Sequence, residues 1–110
     1  MNKIYMLFEN YAYRLIIVNV DSKLMSIEDK VFHIDENEAK QLLEILNSLS
    51  NDKNNFILDP VKFTIKIDKK EESTTFIGKS NTCSNFIKLS DWIGEMYDKY
   101  SWLQDEIWWS

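Results

Sequence analysis

FIKLSDWIGEMYDKYSWLQDEIWW, residues 86–109, contains all four tryptophans of this 110-residue chain (Trp92, Trp102, Trp108, Trp109), together with Tyr97 and Tyr100. On a helix turning about 100° per residue, Trp92, Ile93, Met96, Tyr97, Tyr100, Leu103 and Ile107 form one apolar stripe. Asp91, Glu95, Asp98, Asp105 and Glu106 take the other side, and Trp102 sits among them. The pattern predicts a helix over about 91–106, with Ser90 as its cap and Phe86–Leu89 as a short strand before it. Gly94 interrupts the helix at a cost of about 1 kcal/mol relative to Ala, which marks a bend or a close approach. One side is built to close a core. The other is built to be seen.

Upstream of this stretch, Val61–Asp68 gives the cleanest strand signal. Val61, Phe63, Ile65 and Ile67 alternate with Lys62, Thr64, Lys66 and Asp68, so one face is buried and one wet. Asp59-Pro60 marks its start, because Pro suits a strand's first residue. Lys69–Glu72 reads as a turn and Ser73–Ile77 as the partner strand, followed by a polar loop over 78–85. The polar run 50–55, SNDKNN, is read as a loop closing a helix over about 36–49. Asp35 caps that helix and Glu38 completes a capping box, with Ile34 and Ala39 placed as a hydrophobic staple. Ala39, Leu42, Leu43, Ile45, Leu46 and Leu49 form its apolar face.

The first third of the chain reads as strands. Lys3–Phe8 and Tyr11–Val20 are joined at Glu9-Asn10, and a short hairpin, Leu24–Ile27 with Lys30–Ile34, turns at Glu28-Asp29. The second half of Tyr11–Val20 is apolar on both faces, which predicts a central strand covered on both sides. The expectation is a single α+β domain spanning residues 1–110, with an antiparallel sheet of five to six strands packed by two amphipathic helices.

The net charge is −5, with the negative excess concentrated in residues 21–59 and 89–110. Residues 60–88 run the other way, through Lys62, Lys66, Lys69, Lys70, Lys79 and Lys88. An acidic molecule argues against a nucleic-acid footprint, which needs clustered Lys and Arg, and favours a basic partner steered by charge. The one cysteine, Cys83, allows no intrachain disulfide, as suits a reducing compartment. No export signal is read at the start, where Glu9, Asn10 and Arg14 break the apolar run. No segment approaches the run of about 18 apolar residues needed to cross a bilayer. A cytoplasmic protein with no membrane contact is expected.

Catalytic chemistry finds little material. His33 is the only histidine, and a general base or metal ligand needs partners. Cys83 pairs with it only if the fold brings them together. One Cys and one His fall short of a zinc set, and Gly78 and Gly94 cannot make a phosphate-cradling loop. The adjacent pairs Glu71-Glu72 and Asp105-Glu106 read as solvated surface. No catalytic, cofactor-binding or metal-binding residue is assigned. What stands out is a ridge, Asp91, Glu95, Asp98, Trp102 and Asp105, stepping at intervals of three and four residues. Like charges beside an exposed indole suit a partner-binding face; the alternative is that Trp102 packs on a neighbouring loop or an oligomer mate while the acids keep the protein soluble. Glu106 and Trp109 extend the ridge, although the Trp108-Trp109 pair also suits packing on the sheet.

In size, acidity, cytosolic character, aromatic surface and absence of catalytic motif, the chain resembles the small acidic immunity proteins that accompany bacterial polymorphic toxins, including contact-dependent growth inhibition systems. The resemblance rests on this profile and carries over no residue. It implies a non-enzymatic protein that covers the active site of a cognate toxin domain, often a basic nuclease, with acidic side chains. A phage-encoded inhibitor of a host nuclease presents the same profile. The competing reading is a small enzyme or ligand-binding domain, with His33, Cys83 or a tyrosine in a pocket between sheet and helices.

Overall fold

The computed structural model describes residues 2–52 and 60–109, with side chains as far as Tyr100. Six strands form one sheet: β1 (Lys3–Glu9), β2 (Leu15–Asn19), β3 (Leu24–Ile27), β4 (Lys30–His33), β5 (Lys62–Asp68) and β6 (Ser73–Lys79). Two helices complete the fold, α1 (Glu36–Ser48) and α2 (Phe86–Trp109). The strand order is β4-β3-β2-β1-β5-β6 and every pairing is antiparallel. The first four strands run as a meander. The connection through α1 then returns the chain to the far side of β1, where β5 pairs with it.

Strand pleating puts alternate residues on opposite faces, and the register lines the core residues into rows. Phe32, Met25, Val18, Ile4 and Ile67 are cross-strand neighbours in one row, and Ile27, Ile16, Met6, Ile65 and Phe76 in the next. Leu42, Leu89, Trp92, Ile93 and Met96 close this face from the helices, each almost fully buried. Burying a side chain of this size is worth on the order of 2 kcal/mol.

α2 crosses the sheet from β5 to β4, and aromatic contacts mark its path. Phe86 stacks on Phe63 with centroids 5.1 Å apart, Tyr97 meets Tyr13 at 5.0 Å, and Tyr100 stacks on Phe32 at 5.3 Å. Such pairs add about 0.5–1.5 kcal/mol each beyond buried area.

The capping box is present: Asp35 accepts from the Glu38 amide at 2.8 Å and the Glu38 side chain accepts from the Asp35 amide at 2.9 Å. Ile34 and Ala39 are both buried. The end of α1 has no basic residue in its last turn. There the Asn85 side-chain amide donates to the Ser48 carbonyl at 3.1 Å, satisfying an acceptor that the helix itself leaves open.

Several expectations are corrected. The strand read as Tyr11–Val20 is only Leu15–Asn19. Tyr11 and Tyr13 share strand parity with Leu15 and Ile17, so a continued ladder would aim them away from the helices. The chain leaves the ladder at Asn10 (φ 67°), and both tyrosines pack against α2. Nor is β2 covered on both sides: Ile16 and Val18 are buried, but Leu15 is 41% exposed on the outer face, where no described element covers the sheet.

Phe86–Leu89 is helix, not strand. Phe86, Leu89, Ile93 and Met96 continue one helical stripe, and the Asn85 carbonyl accepts from the amides of Lys88 and Leu89. Ser90 therefore lies inside the helix instead of capping it, and its hydroxyl meets the Tyr11 hydroxyl at 2.6 Å. Finally, β6 runs on to Lys79, taking in Gly78, which opposes Phe63 in register. Residues 53–55 of the polar loop lie outside the described residues.

The two glycines have opposite roles. A Cβ at Gly78 would lie 2.9 Å from the Phe63 ring and 2.9 Å from the Asn51 side-chain oxygen, whereas one at Gly94 would meet nothing within 4 Å. Gly94 therefore marks no close approach. Gly94→Ala is expected to raise stability by about 0.5–1 kcal/mol through helix propensity. Gly78→Ala is expected to cost about 1–3 kcal/mol through overpacking. Thermal denaturation should move the two variants in opposite directions by a few degrees.

Candidate functional site

The α2 stripe divides as its periodicity predicts. Trp92, Ile93 and Met96 are buried, Tyr97 and Tyr100 are half-buried, and Asp91, Glu95 and Asp98 are exposed. The helix continues unbroken to Trp109, and helical periodicity keeps the backbone positions of Trp102, Asp105, Glu106 and Trp109 within about 60° of Asp91. The side chains of those four lie outside the described residues.

Among the described residues the charge on the ridge is uncompensated, for an identifiable reason. Lys99 stands four residues after Glu95, the favourable order for an intrahelical ion pair. It turns instead to Glu38, with Nζ 2.8 Å from the carboxylate. Lys88, three residues before Asp91, forms no ion pair among the described residues. Asp91, Glu95 and Asp98 likewise have no cation within ion-pair distance there.

Glu38 holds Lys99 because it is a junction that the sequence shows only as a cap. The residue is 6% exposed. Its carboxylate accepts from the Asp35 amide, from Lys99 and from the Tyr100 hydroxyl at 2.6 Å, while its backbone carbonyl accepts from the Trp92 indole at 3.2 Å. Burial by itself raises the Glu38 pKa. The Asp35 amide, Lys99 and Tyr100 outweigh it, and the carboxyl is held below the ordinary glutamate value. Tyr100 is pushed up by burial and by its bond to Glu38. Lys99 is pushed up chiefly by the Glu38 hydrogen bond. No local pattern in the sequence marks this junction, because its partners on α2 lie 54 to 62 positions away along the chain.

The two candidates for nucleophilic chemistry are not brought together. His33 ends the edge strand β4, and Cys83 follows the opposite edge strand β6, so the width of the sheet separates them, about 24 Å at about 4.8 Å per strand spacing. Cys83 is buried, its thiol raised by desolvation. A groove of about 530 Å³ lies on the outer face of the sheet beside Leu7, Thr64 and Ile77, and a smaller one of about 270 Å³ is lined by Ser80, Cys83 and Phe86 at the start of α2. Among the described residues no group of three or more His, Cys, Asp or Glu could hold a metal ion, and no helix is long and apolar enough to cross a membrane.

The basic strand segment does not form one surface either. Lys62, Lys66 and Lys79 lie on the outer face, Lys69 and Lys70 on the β5–β6 turn, and Lys88 on α2. No protein-family model, curated protein or solved structure matches the chain.

Because the folded Glu38 value is depressed, its contribution to stability is present above the ordinary glutamate value, near 4.5, and is lost as pH falls through the folded value. Glu38→Gln should cost about 1–3 kcal/mol at neutral pH. It should also flatten the decline of Tm below about pH 4.5 relative to wild type, as read from melts between about pH 2.5 and 7.

Proposed function

We propose that this chain is a non-enzymatic binding protein that covers a basic protein partner with the acidic side of α2. One observation carries the proposal: Asp91, Glu95 and Asp98 are exposed along one ridge, and the lysine best placed to neutralise them is bound elsewhere, to Glu38. Three uncompensated carboxylates mildly destabilise a helix. They also raise the encounter rate with a cationic surface. Trp102, Asp105, Glu106 and Trp109 continue the same helix, and tryptophan is a residue type that interfaces favour as an anchor.

Together with the chain's resemblance to immunity proteins, this supports a stoichiometric inhibitor that blocks a basic, nuclease-type toxin domain in the cytoplasm. The acids stand in for the phosphates such an active site is built to bind, so the inhibitor needs neither cofactor nor catalytic residue. An inhibitor acting on a host nuclease would use the same face, and only the partner would differ.

The test is affinity purification with wild-type bait and with the double variant Asp91→Lys/Asp98→Lys, then titration of the recovered basic partner by calorimetry at several salt concentrations. The double variant is expected to keep its Tm within a few degrees and to lose at least tenfold in affinity. Wild-type binding should weaken as salt rises. Equal affinity of the two proteins at low salt would refute the assignment of this face. Trp102→Ala separates anchoring from folding: a large loss of affinity with little change in Tm is expected.

A further inference from the structure

We propose that β6 and the groove beside it form a second docking site, on the side of the molecule away from the α2 ridge, for an extended acidic segment bearing an aliphatic side chain. The backbone supplies the first reason. β6 is an edge strand, and its partners in β5 take every second residue: the Lys69 amide donates to the Glu72 carbonyl and the Ser80 amide to the Val61 carbonyl. By alternation the groups of residues 74, 76 and 78 also face β5, so those of Ser73, Thr75 and Ile77 face outward. Among the described residues only the Ile77 carbonyl is taken up, by the Asn51 side-chain amide at 2.8 Å. The strand has no proline, and its sole charge is the terminal Lys79, so the usual protections of an exposed edge are missing.

The second reason is the surface adjoining that edge. Ile77 is 68% exposed and Leu7 50% exposed. Register places Leu15, Leu7, Thr64 and Ile77 in one row across the outer face. The groove of about 530 Å³ runs along the β6 end of this row, which gives an aliphatic side chain somewhere to be buried.

Charge decides the chemistry of the occupant. Lys62 and Lys79 stand directly opposite each other in the register and both line the groove, with Glu9 opposite Lys62 from β1 as the groove's one acidic residue among those described. Like charges so placed are destabilising, and neither lysine forms an ion pair among the described residues. Lys66 lies on the same face, shared with Asp68 at 3.7 Å. An added antiparallel strand would set a carboxylate against Lys79 and, two residues later, an aliphatic side chain against Ile77, because both lie on one face of β6. The favoured ligand is therefore a strand reading acid, any residue, aliphatic. A basic partner for α2 and an acidic strand for β6 are opposite requirements, so the two sites are tested separately.

The probe is a labelled peptide, TETVTVT, titrated into the full chain by fluorescence anisotropy and followed by amide exchange. Submicromolar to submillimolar binding is expected, at least tenfold weaker for TKTVTVT, with the Thr75 and Ile77 amides gaining protection. Thr75→Pro removes an amide that faces outward and leaves the β5 ladder intact, as proline on an edge strand can. It should abolish binding while Tm changes little. Lys79→Glu should reverse the preference between the two peptides without touching the backbone, and Asp98→Lys should have no effect on either. No binding at millimolar peptide, or binding indifferent to both Thr75→Pro and the charge swap, would overturn the proposal. A concentration-dependent dimer of the chain, abolished by Thr75→Pro and not competed by the peptide, would assign the edge to a second copy and overturn it equally.

Discussion

Two helices cannot cover both faces of a six-stranded sheet, and both here lie on the same face. α2 spans that face from Phe63 on β5 to Phe32 on β4, anchored at each end by a stacked aromatic pair and in the middle by Tyr13. The consequences reach the whole molecule. The core is a single layer between sheet and helices, the outward side of α2 is free to carry charge, and the far side of the sheet keeps aliphatic residues in contact with water. The two proposed binding surfaces are the remainders of this arrangement.

Glu38 ties the helical layer together. Its Oε1 accepts both the Asp35 amide at the start of α1 and the Tyr100 hydroxyl of α2, and its Oε2 accepts from Lys99, so one carboxylate joins the two helices. A buried charge is tolerated only with several donors, and here the donors come from three residues on two elements. Recruiting Lys99 to this task has a further effect, since it removes the natural counter-ion of Glu95. A stabilising contact in the interior thus leaves the surface ridge more negative than the sequence spacing alone implies.

The two exposed surfaces differ in character. As proposed, the α2 ridge would act through charge and so govern encounter and partner sign. In the proposed site at the β6 edge, backbone groups left open among the described residues and a groove of mixed lining would favour an extended chain. Its lysines then select for acid. A protein with one site of each kind can hold a folded basic domain and an extended acidic segment at once, whether these belong to one partner or to two.

The sequence alone determined every element whose signal is local. The Asp35–Glu38 capping box, the strict alternation over residues 61–68 and the Trp92–Ile93–Met96 stripe each depend on backbone periodicity, which needs no knowledge of neighbours. The exposure of Asp91, Glu95 and Asp98 follows from the same periodicity. Tertiary structure decided the rest. Tyr11 and Tyr13 have ideal strand chemistry yet leave the ladder, because only a turn of the chain brings them to α2. Phe86–Leu89 reads equally well as strand or helix over four residues, and the buried stripe it continues settles the choice. The apolar residues Leu15 and Ile17 look like a second buried face until the helices are counted and found on the other side. Glu38 and Lys99, 61 positions apart, carry no mark of their pairing, since charge partners across a fold are set by how elements dock and not by any local pattern.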